Sequence, residues 1–349
     1  MFGYEHFKEK KMKPLFLSIL IWSITIDLWS QNDYENLVFE GAGIRGIAYS
    51  GVIMQLEEYG IIDKMKKVGG TSAGAITAMM LSIGYDSEEI YEIISATRFQ
   101  KFNKGGLWFL GGIHRVKKRY GWYKSDRFEK WLEEIIESKT GDSQITFRGL
   151  DEKGFKELYV TGTSLNKQEL IVFSNHSYPE MKIKDAVKAS VTIPLYFEAS
   201  FIDEKGRLYK NPKEKEGLDV VVDGGILGNF PIWIFDENEI DPSGTENRIY
   251  NPKTLGIRID SESQIQNDEE RKGLIDQEIT DLKSYVEAFY VLTLENLNRN
   301  ELIAEDWERT ISVSSVGISP RIKRLKQEEK ERLMNSGKES VIKFFEQEE

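Results

Sequence analysis

Residues 68–84 read VGGTSAGAITAMMLSIG and contain the turn that decides the fold. The apolar residue before the glycines indicates a short strand. The apolar side chains from Ile76 to Ile83 are spaced by three and four residues, which predicts a helix ending at Gly84. The stretch is therefore a strand, a tight turn and a helix.

The same order occurs once before this stretch. Leu37–Phe39 is an apolar run that leads into a glycine-rich loop, and helical spacing follows from Ala48 to Tyr59. Further short strands are predicted at Leu158–Thr161, Leu170–Phe173, Val220–Val222 and Leu255–Ile259. Strands that alternate with helices predict an α/β fold with a mostly parallel central sheet and helices on both faces.

Gly70-Thr71-Ser72-Ala73-Gly74 fits the G-x-S-x-G pattern of a nucleophile elbow. So sharp a turn needs glycine on both sides of the serine, because side chains there would clash with the neighbouring backbone. The turn holds the Ser72 hydroxyl at a helix N-terminus, where the dipole stabilises developing negative charge. The alternative is a glycine-rich turn in which Ser72 only caps the helix.

The loop Gly41-Ala42-Gly43-Ile44-Arg45-Gly46 fits G-x-G-x-x-G after a strand, which is also the dinucleotide-binding fingerprint. That fingerprint requires an acidic residue at the end of a second strand. The acidic residues at the right distance, Glu57, Glu58 and Asp63, fall within or just after the helix. Such a loop also directs backbone N–H groups at an oxyanion, and the nearby serine favours this use.

Asp223-Gly224-Gly225 directly follows the apolar run Val220–Val222. An aspartate that ends a buried strand lies at the carboxyl edge of the sheet, where the other two glycine-rich loops are also expected. The alternative is an Asx-turn that only closes the strand.

The three histidines, His6, His114 and His176, all precede Asp223. A serine triad of the order Ser, Asp, His would need a later histidine as base. His114 or His176 could serve only with an earlier acid such as Asp126 or Asp151, which no motif marks. Asp223 as the direct base for Ser72 fits the inventory of residues better. His114 and His176 are expected to be surface or loop residues.

The three motifs in this order resemble the patatin-like phospholipase family. The segment from Lys188 to Phe197, KASVTIPLYF, is also similar to that family's Ala-Ser-x-x-Ile-Pro-x-x-Phe segment. The clear similarity covers about residues 36–236. In two departures, Ala42 occupies a position where many members have glycine, and Glu40 one where aspartate is common.

The resemblance implies a patatin-like three-layer α/β sandwich and a Ser72–Asp223 dyad that hydrolyses lipid acyl esters without metal or cofactor. It also implies that the N–H groups of Ala42 and Gly43 bind the oxyanion, with Arg45 as a supporting charge. Gly41, Gly46, Gly70, Gly74, Gly224 and Gly225 are the motif glycines. The implied partners are a lipid or phospholipid substrate and a membrane surface.

Composition excludes several other classes of function. The 349 residues include 47 Lys and Arg and 58 Asp and Glu, so the net charge is −11 and phosphate neutralisation of nucleic acid is not expected. With no cysteine and three histidines, a Cys-based metal site is excluded and a His cluster is not expected.

Residues 1–31 form a basic and apolar segment, in which four lysines between Lys8 and Lys13 precede the apolar stretch Leu15–Ile26. Twelve residues are too few to span a bilayer, but the pattern is typical of a secretory signal. We expect export or membrane attachment, with a docked N-terminal helix in a cytoplasmic protein as the alternative.

The rest of the chain divides into a catalytic domain over 36–236 and a helical extension over 237–349 that packs on the same domain. Residues 261–273 are polar and predict an exposed loop, whereas Ile275–Phe289 and Leu325–Phe344 have helical spacing. Aromatic and basic residues mix in Gly105–Tyr123, which suits a membrane interface or lid, or a loop packed on the core.

Two other functions remain open from the sequence. One is a dinucleotide-binding module that uses Gly41–Gly46. The other is a catalytically silent lipid-binding scaffold of the same fold.

Overall fold

The computed structural model describes residues 33–103, 109–210, 212–241, 243–282, 302–321 and 323–347, and single residues between 284 and 299. The N-terminal segment and residues 104–108 of the aromatic stretch lie outside these ranges. Within them, no helix is long and apolar enough to cross a membrane. The described elements all belong to one unit, Tyr34–Glu349.

A mixed sheet of nine strands forms the centre of the described structure, in the order β13-β12-β1-β2-β4-β9-β7-β8, with β5 paired to β4. Strands β1 to β13 are, in chain order, Asn36–Phe39, Lys67–Gly70, Gly121–Tyr123, Glu157–Ser164, Glu169–Phe173, Leu195–Phe197, Ser200–Ile202, Leu208–Tyr209, Asp219–Asp223, Glu237–Ile240, Glu246–Ile249, Thr254–Asp260 and Thr310–Ser314. Strands β3 and β6 pair with each other, as do β10 and β11.

The five strands from β13 to β4 are parallel, which confirms the predicted α/β class. All four residues of β1 and six of the seven residues of β12 are buried. Parallel strands covered on both faces are apolar throughout, and this is why the strand runs are recognisable in the sequence. The parallel arrangement also brings the carboxyl ends of β1 and β2 to one edge of the sheet.

Helices α1 to α11 are, in chain order, Ala48–Glu58, Ala73–Ser82, Ser87–Ala96, Phe109–Arg119, Asp126–Thr140, Phe147–Glu152, Ile183–Ser190, Gly225–Gly228, Glu262–Glu269, Ala304–Glu308 and Gln327–Gln347. Four 3-10 helices add to them: Gly43–Ile47, Ile62–Lys64, Phe99–Asn103 and Ile232–Phe235. Helix α2 packs against β1, β2 and β4, and α11 packs against α1 and β13.

The structure differs from expectation after residue 236. The strand predicted at Leu255–Ile259 is confirmed by β12, but β13, in the extension that was expected to be helical, was not predicted and pairs with β12 at the edge of the central sheet. The exposed loop expected over 261–273 contains α9, which begins where the Ser261 hydroxyl accepts the N–H of Gln264. The helix expected at Ile275–Phe289 is wrong over residues 275–281, which contain no helix, whereas residues 282, 284, 285 and 288 are helical and residues 283, 286, 287 and 289 lie outside the described residues.

The aromatic and basic stretch Gly105–Tyr123 forms helix α4 followed by the short strand β3. The Arg115 Nε atom donates to the Trp122 carbonyl at 2.9 Å, and Arg119 pairs with Glu198 at 3.1 Å. These contacts hold the last turn of α4 against β3 and the segment after β6. Half of the cations of this stretch are therefore engaged within the protein.

Candidate active site

Ser72 lies at the sharp turn between β2 and α2, with the backbone angles φ 52° and ψ −116°. A non-glycine residue in this region is strained, and such strain is concentrated at functional sites. The turn is made tight by Gly74, where an added Cβ would lie 2.4 Å from the Phe39 carbonyl oxygen. Glycine therefore lets the start of α2 approach the end of β1.

Two neighbours, Ser190 and Asp223, define the position of Ser72 within the site. Its backbone N–H donates to the Ser190 hydroxyl oxygen at 2.9 Å, and Ser190 is fully buried. Its hydroxyl lies close enough to the carboxylate of Asp223 to lower the pKa of that group. The elbow thus directs the serine oxygen at the one carboxylate that ends β9.

Asp223 is buried at the carboxyl end of β9. Its N–H donates to the Thr192 carbonyl at 2.8 Å, and its Oδ1 accepts the N–H of Gly225 at 2.8 Å. Burial raises the pKa of Asp223 to about 6, although the hydrogen bonds from Gly225 and Ser72 oppose the rise. A carboxylate with this pKa is ionised at neutral pH and is a better proton acceptor than an exposed aspartate.

The glycine-rich loop after β1 is held from two sides. The N–H of Gly41 donates to the Asn229 carbonyl at 2.9 Å, and the N–H of Ile44 donates to the Pro320 carbonyl at 3.2 Å. Ala42 and Gly43, whose N–H groups make neither of these bonds, lie between them. Ala42 has φ −127°, a value that an L-residue adopts readily, so the alanine at this position is accommodated.

A cluster of polar side chains, Glu40, Asn229 and Arg258, lies next to the glycine-rich loop. The Asn229 Nδ2 atom donates to the Gly41 carbonyl at 3.0 Å and to Glu40 Oε1 at 3.2 Å. Glu40 Oε2 accepts the N–H of Ile259 at 3.0 Å, and Arg258 lies 3.4 Å from Glu40. Glutamate instead of aspartate at position 40 therefore reaches a full set of partners.

Ser72 and Asp223 open into a cavity of about 670 Å³. Most of its wall is apolar and is made by Ile76, Ile94, Phe99, Phe102, Phe128 and Val191. Phe102 packs edge-on against Phe99 and Phe128, with ring centroids 5.8 and 5.6 Å apart. Arg45, Gln277 and Arg321 line a polar part of the same cavity, so one space offers an apolar wall and a charged one.

The structure brings the three predicted motifs together and leaves the histidines apart from them. Among the described residues, neither His114 nor His176 lines the cavity. His114 is exposed on α4, and His176 lies 3.7 Å from Glu157, the first residue of β4, at the opposite edge of the sheet. An imidazole in either place is remote from the Ser72 hydroxyl.

The sequence analysis did not identify the residues that position Ser72 and Asp223. Ser190 and Thr192 contact Ser72 and Asp223 through one hydrogen bond each, and Asn229 anchors the glycine-rich loop. The only signal was the segment Lys188–Phe197, which was recognised as a resemblance without a role. Nothing in the sequence indicated Asn229.

Comparisons with known proteins agree with this geometry. The family model for "Patatin-like phospholipase" matches residues 37–236, more than half of the chain. An uncharacterised Bacillus subtilis protein, YqhO, is 33% identical over 60% of this chain and 69% of its own length. A protein of invertebrate iridescent virus 6, named as a probable lipid hydrolase, is 28% identical over 58% of this chain and 63% of its own length.

Among solved structures, VipD from Legionella pneumophila has a similar fold, with a TM-score of 0.55. The match covers 90% of this chain and 67% of VipD at 16% identity. This likeness establishes the fold, and the family match establishes the sequence relationship.

Proposed function

The chain belongs to the patatin-like phospholipase family of lipid hydrolases, and from this membership we propose that it cleaves fatty-acyl esters through Ser72 and Asp223. The observation that carries the proposal is the position of Ser72, at its strained turn, beside the buried Asp223 carboxylate at the wall of one apolar cavity. A strained serine beside a carboxylate with a raised pKa is the arrangement that an activated nucleophile requires.

In the first step, the Ser72 oxygen attacks the ester carbonyl carbon while its proton moves to Asp223. The carbonyl oxygen becomes an oxyanion. When the tetrahedral intermediate collapses, the alcohol of the substrate leaves with the proton held by Asp223, and the acyl group stays on Ser72. One difficult hydrolysis is thereby divided into two easier steps.

The N–H groups of Ala42 and Gly43 are proposed to donate to the oxyanion. Asn229 and Pro320 engage the N–H groups on either side of this pair, which fixes the loop before substrate arrives. Arg45 is held near the loop, since its Nε atom donates to the Ala42 carbonyl at 3.2 Å. Preorganised donors of this kind are each worth about 2.7–4 kcal/mol in the transition state.

In the second step, a water molecule gives a proton to Asp223 and attacks the acyl carbonyl. Collapse of this second intermediate releases the fatty acid and returns the proton to the Ser72 oxygen. Each step uses groups of this chain and water. In each of the two steps Asp223 therefore first accepts a proton and then gives it up.

The apolar wall of the cavity supports a long acyl chain as the bound part of the substrate. Burial of each methylene contributes about 0.8 kcal/mol, so aliphatic and aromatic walls favour lipid over short esters. We propose phospholipids or related lipids presented at a membrane surface. The segment Lys8–Ile26 supports export or membrane attachment. Fractionation of the native host, which shows where the full-length and the processed chains are found, tests this.

Release of fatty acid from phospholipid, lysophospholipid and triacylglycerol tests the proposal. Native protein should release fatty acid from at least one of them, and Ser72→Ala should release none above background. Equal rates in the two proteins would contradict the proposal. Nucleotide protection in a thermal melt, with no hydrolysis, would favour the dinucleotide-binding alternative.

A further inference from the structure

The rim of the cavity is basic in an acidic protein. Two segments line it, 94–103 through Ile94, Phe99 and Phe102, and 316–327 through Pro320 and Arg321. Together they contain six Lys and Arg and no Asp or Glu, although the whole chain has 47 of the former and 58 of the latter. We call these two segments the basic rim. Its charge is opposite to the net charge of −11.

Two side-chain hydrogen bonds join the helices next to these segments. The Gln327 Nε2 atom donates to the Tyr91 hydroxyl at 3.1 Å, and the Lys330 Nζ atom donates to the Ser95 carbonyl at 2.8 Å. These bonds tie the start of α11 to the end of α3. Both segments therefore flank the same cavity, which residues of each of them line.

Most of these cations are available to a partner. Arg98, Lys101, Arg324 and Lys326 are exposed, and none of them forms an ion pair with any residue that the structure describes. Lys323 is partly neutralised, since it lies 3.2 Å from Glu329. Lys326 also lowers the pKa of Glu329. Exposed cations around an apolar opening match a surface that is anionic outside and apolar beneath.

We infer that the basic rim docks the mouth of the cavity on an anionic lipid surface. This inference rests on the proposed hydrolysis of lipid esters, because an acyl chain that enters from a docked membrane avoids exposure to water. Each Lys or Arg near an anionic leaflet strengthens binding about fivefold, and salt screens the attraction. The occupant is thus a lipid surface that carries net negative charge.

Vesicle flotation of the full-length protein tests the inference. The vesicles are phosphatidylcholine alone, or phosphatidylcholine and phosphatidylserine in a ratio of about seven to three. All proteins carry Lys8→Gln, Lys10→Gln, Lys11→Gln and Lys13→Gln, so that the N-terminal lysines add no charge. The rim variant combines Arg98→Gln, Lys101→Gln, Arg324→Gln and Lys326→Gln, and leaves Arg321 in place because it lines the cavity.

The matched control combines Lys64→Gln, Lys66→Gln, Lys153→Gln and Lys253→Gln. These four exposed lysines precede β2, β4 and β12 and therefore lie at the opposite edge of the sheet. We expect the rim variant to bind anionic vesicles at least about twentyfold more weakly and the control to bind within about threefold of the parent. Both should hydrolyse the soluble ester p-nitrophenyl butyrate at the parent's rate.

Equal binding of parent and rim variant, or equal losses in rim variant and control, would overturn the inference. Binding of monomeric short-chain phosphatidylserine with the same loss in the rim variant would also overturn it, because that result assigns the cations to a single headgroup. If no ester is hydrolysed by any protein, the proposed function fails while the vesicle result still decides the docking surface.

Discussion

At the scale of single residues, the proposed chemistry depends on the protonation of Asp223. Burial raises the pKa of its carboxyl group to about 6, and only the ionised form can take the proton of Ser72. We therefore expect kcat/KM for a soluble ester to be flat above about pH 7 and to fall about tenfold per pH unit below about pH 6. A pH–rate profile measures this directly.

The control for this profile is the double variant His114→Gln, His176→Gln. Both imidazoles lie away from the cavity, so the variant should keep the same midpoint and stay within about tenfold of the native rate. A loss of about a thousandfold or more in a folded protein would revive a histidine-based triad.

Asp223 should also destabilise the native protein at neutral pH. Because its pKa is higher in the folded state, the folded protein holds the proton more tightly, and the free energy of unfolding falls as pH rises from about 4 to about 6. Asp223→Asn carries no charge and should raise the free energy of unfolding by about 1–3 kcal/mol at pH 8.

Denaturant unfolding at two pH values measures this gain. At about pH 3.5 the native carboxyl is protonated and the gain should vanish. A gain that is the same at both pH values would mean that the charge of Asp223 is not its cause.

At the scale of elements, two neighbouring positions of the glycine-rich loop, 42 and 43, differ in backbone conformation and in the space for a Cβ. Gly43 has φ +57°, and a Cβ there would lie 2.1 Å from the Pro320 carbonyl oxygen, whereas Ala42 already carries a Cβ at φ −127°. Gly43→Ala should displace the loop and lower kcat/KM by about a hundredfold. Ala42→Gly, the matched change, should stay within about threefold in the same assay.

If both variants lost activity equally, the local backbone would be less demanding than these dihedral angles indicate. If neither lost activity, the N–H groups of this loop would not be the oxyanion donors. A thermal melt of each variant separates loss of the loop from loss of the fold.

The elements also differ in how far sequence predicts them. Strands such as β1 and β12 are recognisable because both faces are buried and each contains apolar residues, although β12 also buries Arg258. The antiparallel strands β7 and β8 are only three and two residues long, which is too short for a recognisable apolar pattern. Helix α9 was predicted as a loop because an exposed helix can be polar on every side.

In the site, sequence predicts what local motifs encode and misses what tertiary contacts supply. Ser72 and Asp223 are each marked by adjacent glycines. Ser190, Thr192 and Asn229 act through single bonds to residues far along the chain, for example 118 positions for Ser190 and Ser72. No spacing rule within one sequence encodes such contacts.

At the scale of the whole molecule, the C-terminal helix is part of the same core as the site. Helices α1 and α11 approach so closely that a Cβ on Gly337 would lie 2.2 Å from the Ala48 carbonyl oxygen. Gly337→Ala should therefore lower the free energy of unfolding by at least about 2 kcal/mol. In an uncrowded helix the same change would raise the free energy of unfolding by about 1 kcal/mol. The sign of the change in stability therefore shows whether α11 packs closely on α1.

Glu339→Ala, an exposed position on α11, is the control and should change stability by less than about 0.5 kcal/mol. Denaturant unfolding of both variants gives the comparison. Stabilisation by Gly337→Ala would show that α11 does not pack on α1 as described.

Covalent labelling of the intact protein with a fluorophosphonate, followed by mass measurement and peptide mapping, tests most directly whether Ser72 and Asp223 act as one unit. Native protein should gain one label on Ser72. Ser72→Ala should gain none, and Asp223→Asn should label far more slowly, because acylation itself needs the base. Labelling of Asp223→Asn at the native rate, or of another serine in Ser72→Ala, would contradict a Ser72–Asp223 dyad.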